Sequence, residues 1–417
     1  MKEELPSDWK RERLEKLCLK TSQKDPRKDP ETPFIYVDVS SISTQSFSIV
    51  EAKSLIGKNA PSRARKLIRK DDIIFATVRP TLKRVAIISD EFDNQICSTG
   101  YCVLRPNKMH LFPPFLYFQL LTEKTTNRVA ALQKGATYPA ISDSDLFSQL
   151  ILLPPLPEQR AIARALRAVQ AARETRLREI ALERERKAAL MEHLFTHGTR
   201  GEPTKRTEIG EMPEGWKTPK LADLAEIQSG GTPLRNHHEY YNGSINWAKT
   251  LDLNDGIVRS TEEKITDLGF HSIRGKIRPI DTVMVAMYGG SGTVGKSGIL
   301  GIPAATNQAV CCIEPNFERF DSLYLLYYLI HFRPNWMRYA IGTRKDPNIS
   351  KGIIESLKIP LPPLGQQKEI SRTIKACDTK ITALGQEACL LDELFRAMLE
   401  ELMTGRQRAG ALVSDKS

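Results

Sequence analysis

Apolar positions along the chain alternate between two rhythms, and the alternation occurs twice. Over residues 5–152, and again over 212–360, short β-branched and aromatic runs such as Ile73-Ile74-Phe75-Ala76 and Val283-Met284-Val285-Ala286 stand between Gly, Pro, Asn and Asp turns. That spacing predicts strand-rich globular domains of the α+β or α/β class. Each is followed by a long stretch free of interior proline. Pro155 and Pro157, or Pro362 and Pro363, stand before or within the first helical turn, and Gly198 or Gly405 stands where a helix ends. The second stretch carries Ile370, Ile374, Cys377, Ile381, Leu384, Ala388, Leu391, Phe395, Met398 and Leu402 in alternating steps of four and three, a heptad seam. The first carries Ile162, Leu166 and Val169, then Leu177 and Ile180, then Met191 and Leu194, with Glu183-Arg184-Glu185-Arg186-Lys187 loosening its middle. Two such helices at matching positions are expected to pack on each other.

The chain is thus written twice. Leu5-Pro6-Ser7-Asp8-Trp9-Lys10 returns as Met212-Pro213-Glu214-Gly215-Trp216-Lys217; Asp72 matches Asp281, and Asn94-Gln95 matches Asn307-Gln308. Leu153-Pro154-Pro155-Leu156 with Gln159 matches Leu361-Pro362-Pro363-Leu364 with Gln367, and Thr196-His197-Gly198 matches Thr404-Gly405. Landmarks that keep their order over half a chain signal duplication with loop insertions and a pseudo-twofold molecule. The expected organisation is a globular domain over 1–152, a helix over 153–198, a linker over 199–211, a second globular domain over 212–360, a second helix over 361–406 and a tail over 407–417. If the second helix runs back along the first, the pair is an antiparallel coiled coil, a stalk roughly 60 Å long at 1.5 Å per residue.

Composition narrows the class. With 41% hydrophobic and 27% charged residues in 417, the chain can bury real cores and is not a disordered tail. Lys and Arg number 61 against 50 Asp and Glu, a net charge of +11, which favours a polyanionic partner such as nucleic acid. Seven cysteines, none in Cys-x-x-Cys spacing, argue against a disulfide framework or a zinc site. Met1-Lys2-Glu3-Glu4 leads into no apolar leader, and no run approaches bilayer length. A cytoplasmic, prokaryotic protein without membrane contact is expected.

These residues resemble the specificity subunits of type I restriction-modification systems. The likeness rests on the opening Leu/Met-Pro-x-x-Trp, on Pro61-Ser62-Arg63-Ala64-Arg65-Lys66, Thr77-Val78-Arg79-Pro80, Gly135-Ala136-Thr137 and Ala140-Ile141-Ser142. It rests further on Leu-Pro-Pro-Leu-Pro-Glu-Gln at 153–159, and in copy two on Gly231-Thr232-Pro233, Ile245-Asn246-Trp247 and Thr306-Asn307-Gln308-Ala309. Copy two departs from the pattern by starting its helix on Gly365-Gln366-Gln367. The resemblance implies that each globular domain is a target-recognition domain reading one half of a split, asymmetric site on double-stranded DNA, while the helices set the spacing. It also implies docking of two modification subunits, which methylate adenine with S-adenosylmethionine, and of restriction subunits, which use ATP and Mg²⁺. No cofactor, metal or catalytic residue is expected in this chain.

Gly290-Ser291-Gly292-Thr293-Val294-Gly295-Lys296-Ser297 matches the phosphate-cradling loop letter for letter. A true cradle needs a helix starting at its lysine, and Gly298, Gly301 and Pro303 argue for a glycine-rich hairpin loop instead. Phe112-Pro113-Pro114-Phe115 lacks the acidic or amide residue of an adenine-methylase motif and reads as a helix start. His237-His238 reads as solvated surface. The alternatives to a specificity subunit are a stand-alone two-domain DNA-binding regulator, a fragment of a fused restriction-methylation polypeptide, and an ATPase on 290–297.

Candidate DNA contacts follow from cations on turns. Arg63, Arg65 and Lys66 after a Pro-Ser turn, and Arg79, Lys83 and Arg84 on a presumed hairpin loop, are expected to meet DNA, mostly at phosphates, with one or two arginines free to fork onto guanine. Arg69 and Lys70, beside two aspartates, read as solvated surface. Lys134, Thr137 and Tyr138, with their counterparts Thr343, Arg344 and Lys345, add glycine-loop contacts. Thr232, Arg235, Asn236 and Lys249 join them in copy two, with Tyr288 and Lys296 on the glycine-rich loop; Trp247 is either contact or core. Two domains on one face of a duplex would act about one helical turn apart, roughly 34 Å.

Overall fold

The computed structural model describes residues 6–135, 137–289, 292–342 and 347–409. The chain divides into two compact units, one made of the residues up to Arg178 with those from Leu384 onward, the other of Glu179–Ala383.

In the first unit an antiparallel sheet runs in the order Cys18–Leu19, Tyr101–Pro106, Ile73–Ala76, Val85–Ile87. Ile73–Ala76 is buried on both faces, which is why it reads as a continuous apolar run and not as an alternation. A second sheet orders Lys53–Ile56, Pro33–Val37, Ile96–Ser98 and Ala64–Leu67, with Pro33–Val37 parallel to Ile96–Ser98. The Phe112-Pro113-Pro114-Phe115 string does start a helix, Pro113–Leu121, buried along its whole length. Lys10–Arg13 pairs with Leu150–Leu153, and three residues later the first long helix, Leu156–His197, begins. Trp9, Phe75 and Phe118 share one core with Ile162 and Leu166 of that helix and with Phe395, Leu399 and Leu402 of the second, Leu364–Thr404.

The second unit repeats the plan. Its larger sheet orders Ile227–Ser229, Val310–Ile313, Val283–Ala286, Ser297–Leu300 and Ile257–Val258, and a smaller one Glu263–Ile265, Tyr241–Ala248 and Ala305–Thr306. The helix Ser322–Phe332, capped by Asp321, lies in one core with Met191, Leu194 and Phe195 and with Ile370 and Ile374. Backbone bonds fix the equivalence of the copies. Thr77 N–H donates to Gly100 and its carbonyl accepts from Ile141; Met287 N–H donates to Ala309 and its carbonyl accepts from Ile349. The partner of Asp281 is Asp71 and not Asp72: the two share a left-handed backbone, φ 68° and 64°. Letter matching placed the equivalence one residue off because the backbone sign is invisible in sequence.

Both long helices contribute to both units, and within each unit they run antiparallel. Arg173 meets Asp392 at 3.1 Å and Arg176 meets Glu387 at 2.7 Å in the first; in the second, Glu183 meets Lys380 at 2.9 Å and Lys187 meets Asp378 at 2.6 Å. Every residue of the second helix's predicted seam is buried or half-buried. The first helix departs at Leu177, which is 44% exposed, because the seam there is made by the arginines at 173 and 176. The charged middle does not loosen the pair: Glu183 is only 4% exposed and bonds across to the other helix. Each helix ends on a left-handed glycine, Gly198 at φ 69° and Gly405 at φ 75°, the cap geometry glycine adopts without a Cβ penalty. The segment expected as a linker, 199–211, holds much of a β-hairpin, Thr204–Thr207 with Gly210–Pro213. Among the described residues no helix is long and apolar enough to cross a membrane, and no cluster of His, Cys, Asp or Glu is arranged to hold a metal ion.

Candidate nucleic-acid interface

The hairpin joining Ile73–Ala76 to Val85–Ile87 presents the cations of the first unit. Arg79 and Lys83, both left-handed at φ 49° and 51°, bracket the single 3-10 turn Pro80–Leu82. Arg79 N–H donates to the Pro139 carbonyl at 2.7 Å, and its guanidinium lies 5.6 Å over the ring of Tyr138, which is 69% exposed. Arg63 and Arg84 join Arg79 and Tyr138 around a cleft of about 380 Å³ whose apolar lining is Val39, Val78 and Ala140. The Nε of Arg84 is buried and finds no hydrogen-bond partner among the described residues. Lys134 and Thr137 are exposed nearby on the chain, and Lys134 forms a two-way backbone bridge with Ala140.

Several cations that sequence assigns to DNA are already neutralised. Arg65 pairs with Asp25 at 3.0 Å. Lys66 donates to Asp143 at 2.5 Å and to the Tyr101 carbonyl at 2.6 Å. Lys83 is bound to Glu123 at 2.5 Å. A cation in such a pair must give up its carboxylate before it can meet a phosphate, which sets Arg65, Lys66 and Lys83 apart from Arg63, Arg79 and Arg84 as candidate contacts. The expectation that Lys70 is surface agrees with its 2.7 Å pair to Asp90.

In the second unit Trp247 is core: fully buried, with its indole donating to the Gly231 carbonyl at 3.1 Å. Arg235 lies over Tyr241 at 4.7 Å and Trp247 at 5.4 Å, and both its terminal nitrogens reach Glu263. Lys249 contacts Glu262 and Glu263 at 2.9 and 2.5 Å. Burial penalises the Lys249 ammonium, but the two carboxylates outweigh it and raise its pKa; Arg235, and then Lys249, hold the Glu263 carboxyl below its ordinary range. Asn236 is exposed and Thr232 half-buried in that segment, and Arg235 stays exposed although it is paired with Glu263. Thr343, Arg344 and Lys345 lie outside the described residues.

The phosphate-loop match is a hairpin. Lys296 accepts from Ala286 through its carbonyl as Arg84 accepts from Ala76, so these two cations hold equivalent places. Ser297 opens a strand, is fully buried, and donates its hydroxyl to the Gly295 carbonyl at 3.1 Å. A strand after the lysine supplies no helix N-terminus for phosphates, and the ATPase reading has no support in it. Gly290 and Ser291 lie outside the described residues. Tyr288 and Lys296 are half-buried on this loop. Sequence reasoning missed the acids that consume the cations and the apolar lining of the Arg63 cleft, because neither has a local pattern.

The sequence model described as "Type I restriction modification DNA specificity domain" matches residues 6–184 and 213–389. The HindI specificity subunit of a type I restriction enzyme from Haemophilus influenzae is 23% identical over 96% of this chain and 99% of its own. The MjaVIII specificity subunit from Methanocaldococcus jannaschii is 28% identical over 66% of each. A chain solved in work on complex assembly and conformational transition of the type I R-M system aligns with 29% identity, covering 97% of this chain and 100% of that one, at a TM-score of 0.63. With the match covering both copies, the chain belongs to the type I restriction modification DNA specificity family.

Proposed function

We propose that this chain is the DNA-reading subunit of a type I restriction-modification assembly. Each globular domain reads one half of a bipartite, asymmetric target, and the helices set the distance between the halves and dock two modification subunits. Those partners carry S-adenosylmethionine and the adenine methylation; restriction subunits, where present, carry ATP and Mg²⁺. The chain itself binds no cofactor and has no catalytic residue. The observation that carries this reading is the duplication: two family matches, each with a hairpin of the same backbone bonding and a cation, Arg84 or Lys296, at the same place on it.

The test is isolation of the complex from the native host with this chain as bait, its mass, and methyl transfer to unmodified DNA. Two modification subunits per chain and adenine methylation at a split sequence are expected. A lone chain that binds DNA would make it a stand-alone regulator instead.

A further inference from the structure

The first unit keeps an arginine where the second has a glycine. Arg79 stands three residues beyond the strand ending at Ala76, and Gly289 three beyond the strand ending at Ala286; both are at positive φ, 49° and 138°. The left-handed region costs an ordinary L-residue free energy that glycine escapes. A strained residue retained where glycine would serve points to a use for its side chain.

That side chain is preset. Its guanidinium lies over the exposed Tyr138 ring at 5.6 Å from the ring centre, and its backbone N–H is held by the Pro139 carbonyl. Among the described residues Arg79, Arg63 and Arg84 make no ion pair, whereas Arg65, Lys66 and Lys83 around them do. Phosphate binding asks only for positive charge. Reading guanine asks for N–H donors that reach O6 and N7 together, a geometry the planar guanidinium fork fits best, and an unpaired arginine held over a ring on a hairpin loop supplies one.

We propose that Arg79 is the specificity-determining residue of the first half-site, reading a guanine through the major groove, with Tyr138 as its positioning platform and Arg63 and Arg84 on phosphates. This rests on the DNA-reading function proposed above.

The test is selection from a random-sequence duplex library by the complete complex, with wild-type chain, Arg79→Gly, Arg79→Lys, Tyr138→Ala and Arg63→Ala. Wild type should select a split motif. Arg79→Gly, which the backbone accommodates, should select the same motif with one G·C position degenerate, discrimination there falling roughly 10-fold or more. Arg79→Lys, whose ammonium can still donate to O6 and N7 but lacks the planar fork, should keep overall affinity and lose part of the discrimination at that pair, and Tyr138→Ala should also lose part of it. Arg63→Ala should keep the whole motif, bind every duplex more weakly, and reduce the salt slope by about one. An unchanged motif with Arg79→Gly overturns the proposal, as does a uniform loss of affinity that Arg79→Lys restores, since both make Arg79 a backbone contact. A wild-type complex that selects no motif would overturn the DNA-reading function itself.

Discussion

The indole N–H of Trp216 donates to the side-chain carbonyl of Gln366 at 3.0 Å. Trp9 makes the same bond to the carboxylate of Glu158, also at 3.0 Å. The exchange of Glu for Gln follows from what lies behind. Glu158 is met by Arg408 at 2.7 Å, whereas the amide of Gln366 donates to Glu202. A carboxylate at 366 would accept from the tryptophan but face a second carboxylate. Gln366→Glu should therefore destabilise the second unit by about 1–2 kcal/mol, and adding Glu202→Arg should recover most of it; urea unfolding of the full chain measures both.

On the second helix, Leu384 is 8% exposed and Leu390 is 64% exposed. Leu384→Glu should break the seam and abolish assembly with modification subunits. Leu390→Glu should leave stability within about 0.5 kcal/mol. Leu390, with Leu391 and Leu394, lines a groove beside Ala172 and Thr175, so that variant should still weaken assembly. Native mass spectrometry of reconstituted complexes reads assembly for both variants, and urea unfolding of the free chain separates a broken seam from a lost docking surface.

Arg63 and Arg65 are two residues apart, and among the described residues Arg65 pairs with an acid, Asp25, whereas Arg63 does not. Arg63→Ala should lower the slope of log affinity against log salt by about one, and Arg65→Ala should leave it unchanged. Equal slopes for both variants would remove Arg63 from the phosphate contacts.

At φ 49° Arg79 holds a backbone that suits glycine. Arg79→Gly should raise thermal stability by up to about 1 kcal/mol while recognition suffers, and a loss of stability would show that the side chain serves the fold.

His331 lies 5.1 Å from Phe195 and 3.6 Å from Glu192, and burial lowers its pKa from the ordinary 6.5 despite that acid. Below pH 6.5 the unfolded chain then takes up the proton that the folded chain resists, so folding stability falls as the pH drops toward the depressed value. His331→Gln should flatten that fall, seen as a smaller difference between melting temperatures at pH 7.5 and 5.5.

The duplication, the strand-rich domains and the long helices were legible because each is a periodic or repeated local signal. Ile370 to Leu402 could be placed on one face from spacing alone. Leu177, which its apolar letter puts on the seam, is exposed, because alternating steps of four and three from Val169 reach Arg173, Arg176 and Ile180, and the two arginines make the contact there as ion pairs. The candidate interface was legible as a set of cations on turns, but not which of them the fold pairs with acids. Lys66 is neutralised by an aspartate 77 residues away and Lys83 by a glutamate 40 residues away, and such partners are brought together only by the fold. The left-handed backbone at Arg79 leaves no trace in its own letter; only the glycine at the matching place in the other copy points to it.

The two units also differ in how much of the chain they need. The second is one unbroken stretch, Glu179–Ala383, whereas the first requires residues from Leu384 onward, where Phe395 packs against Phe118 and Arg408 pairs with Asp8. The sheets of the first domain can form from its own residues, but the core that Trp9 and Phe118 share with the second helix closes only once the C-terminal segment is present. The two ends of the chain are thereby tied together, and the apolar face around Phe118 is the one left uncovered whenever the C-terminal helix is missing.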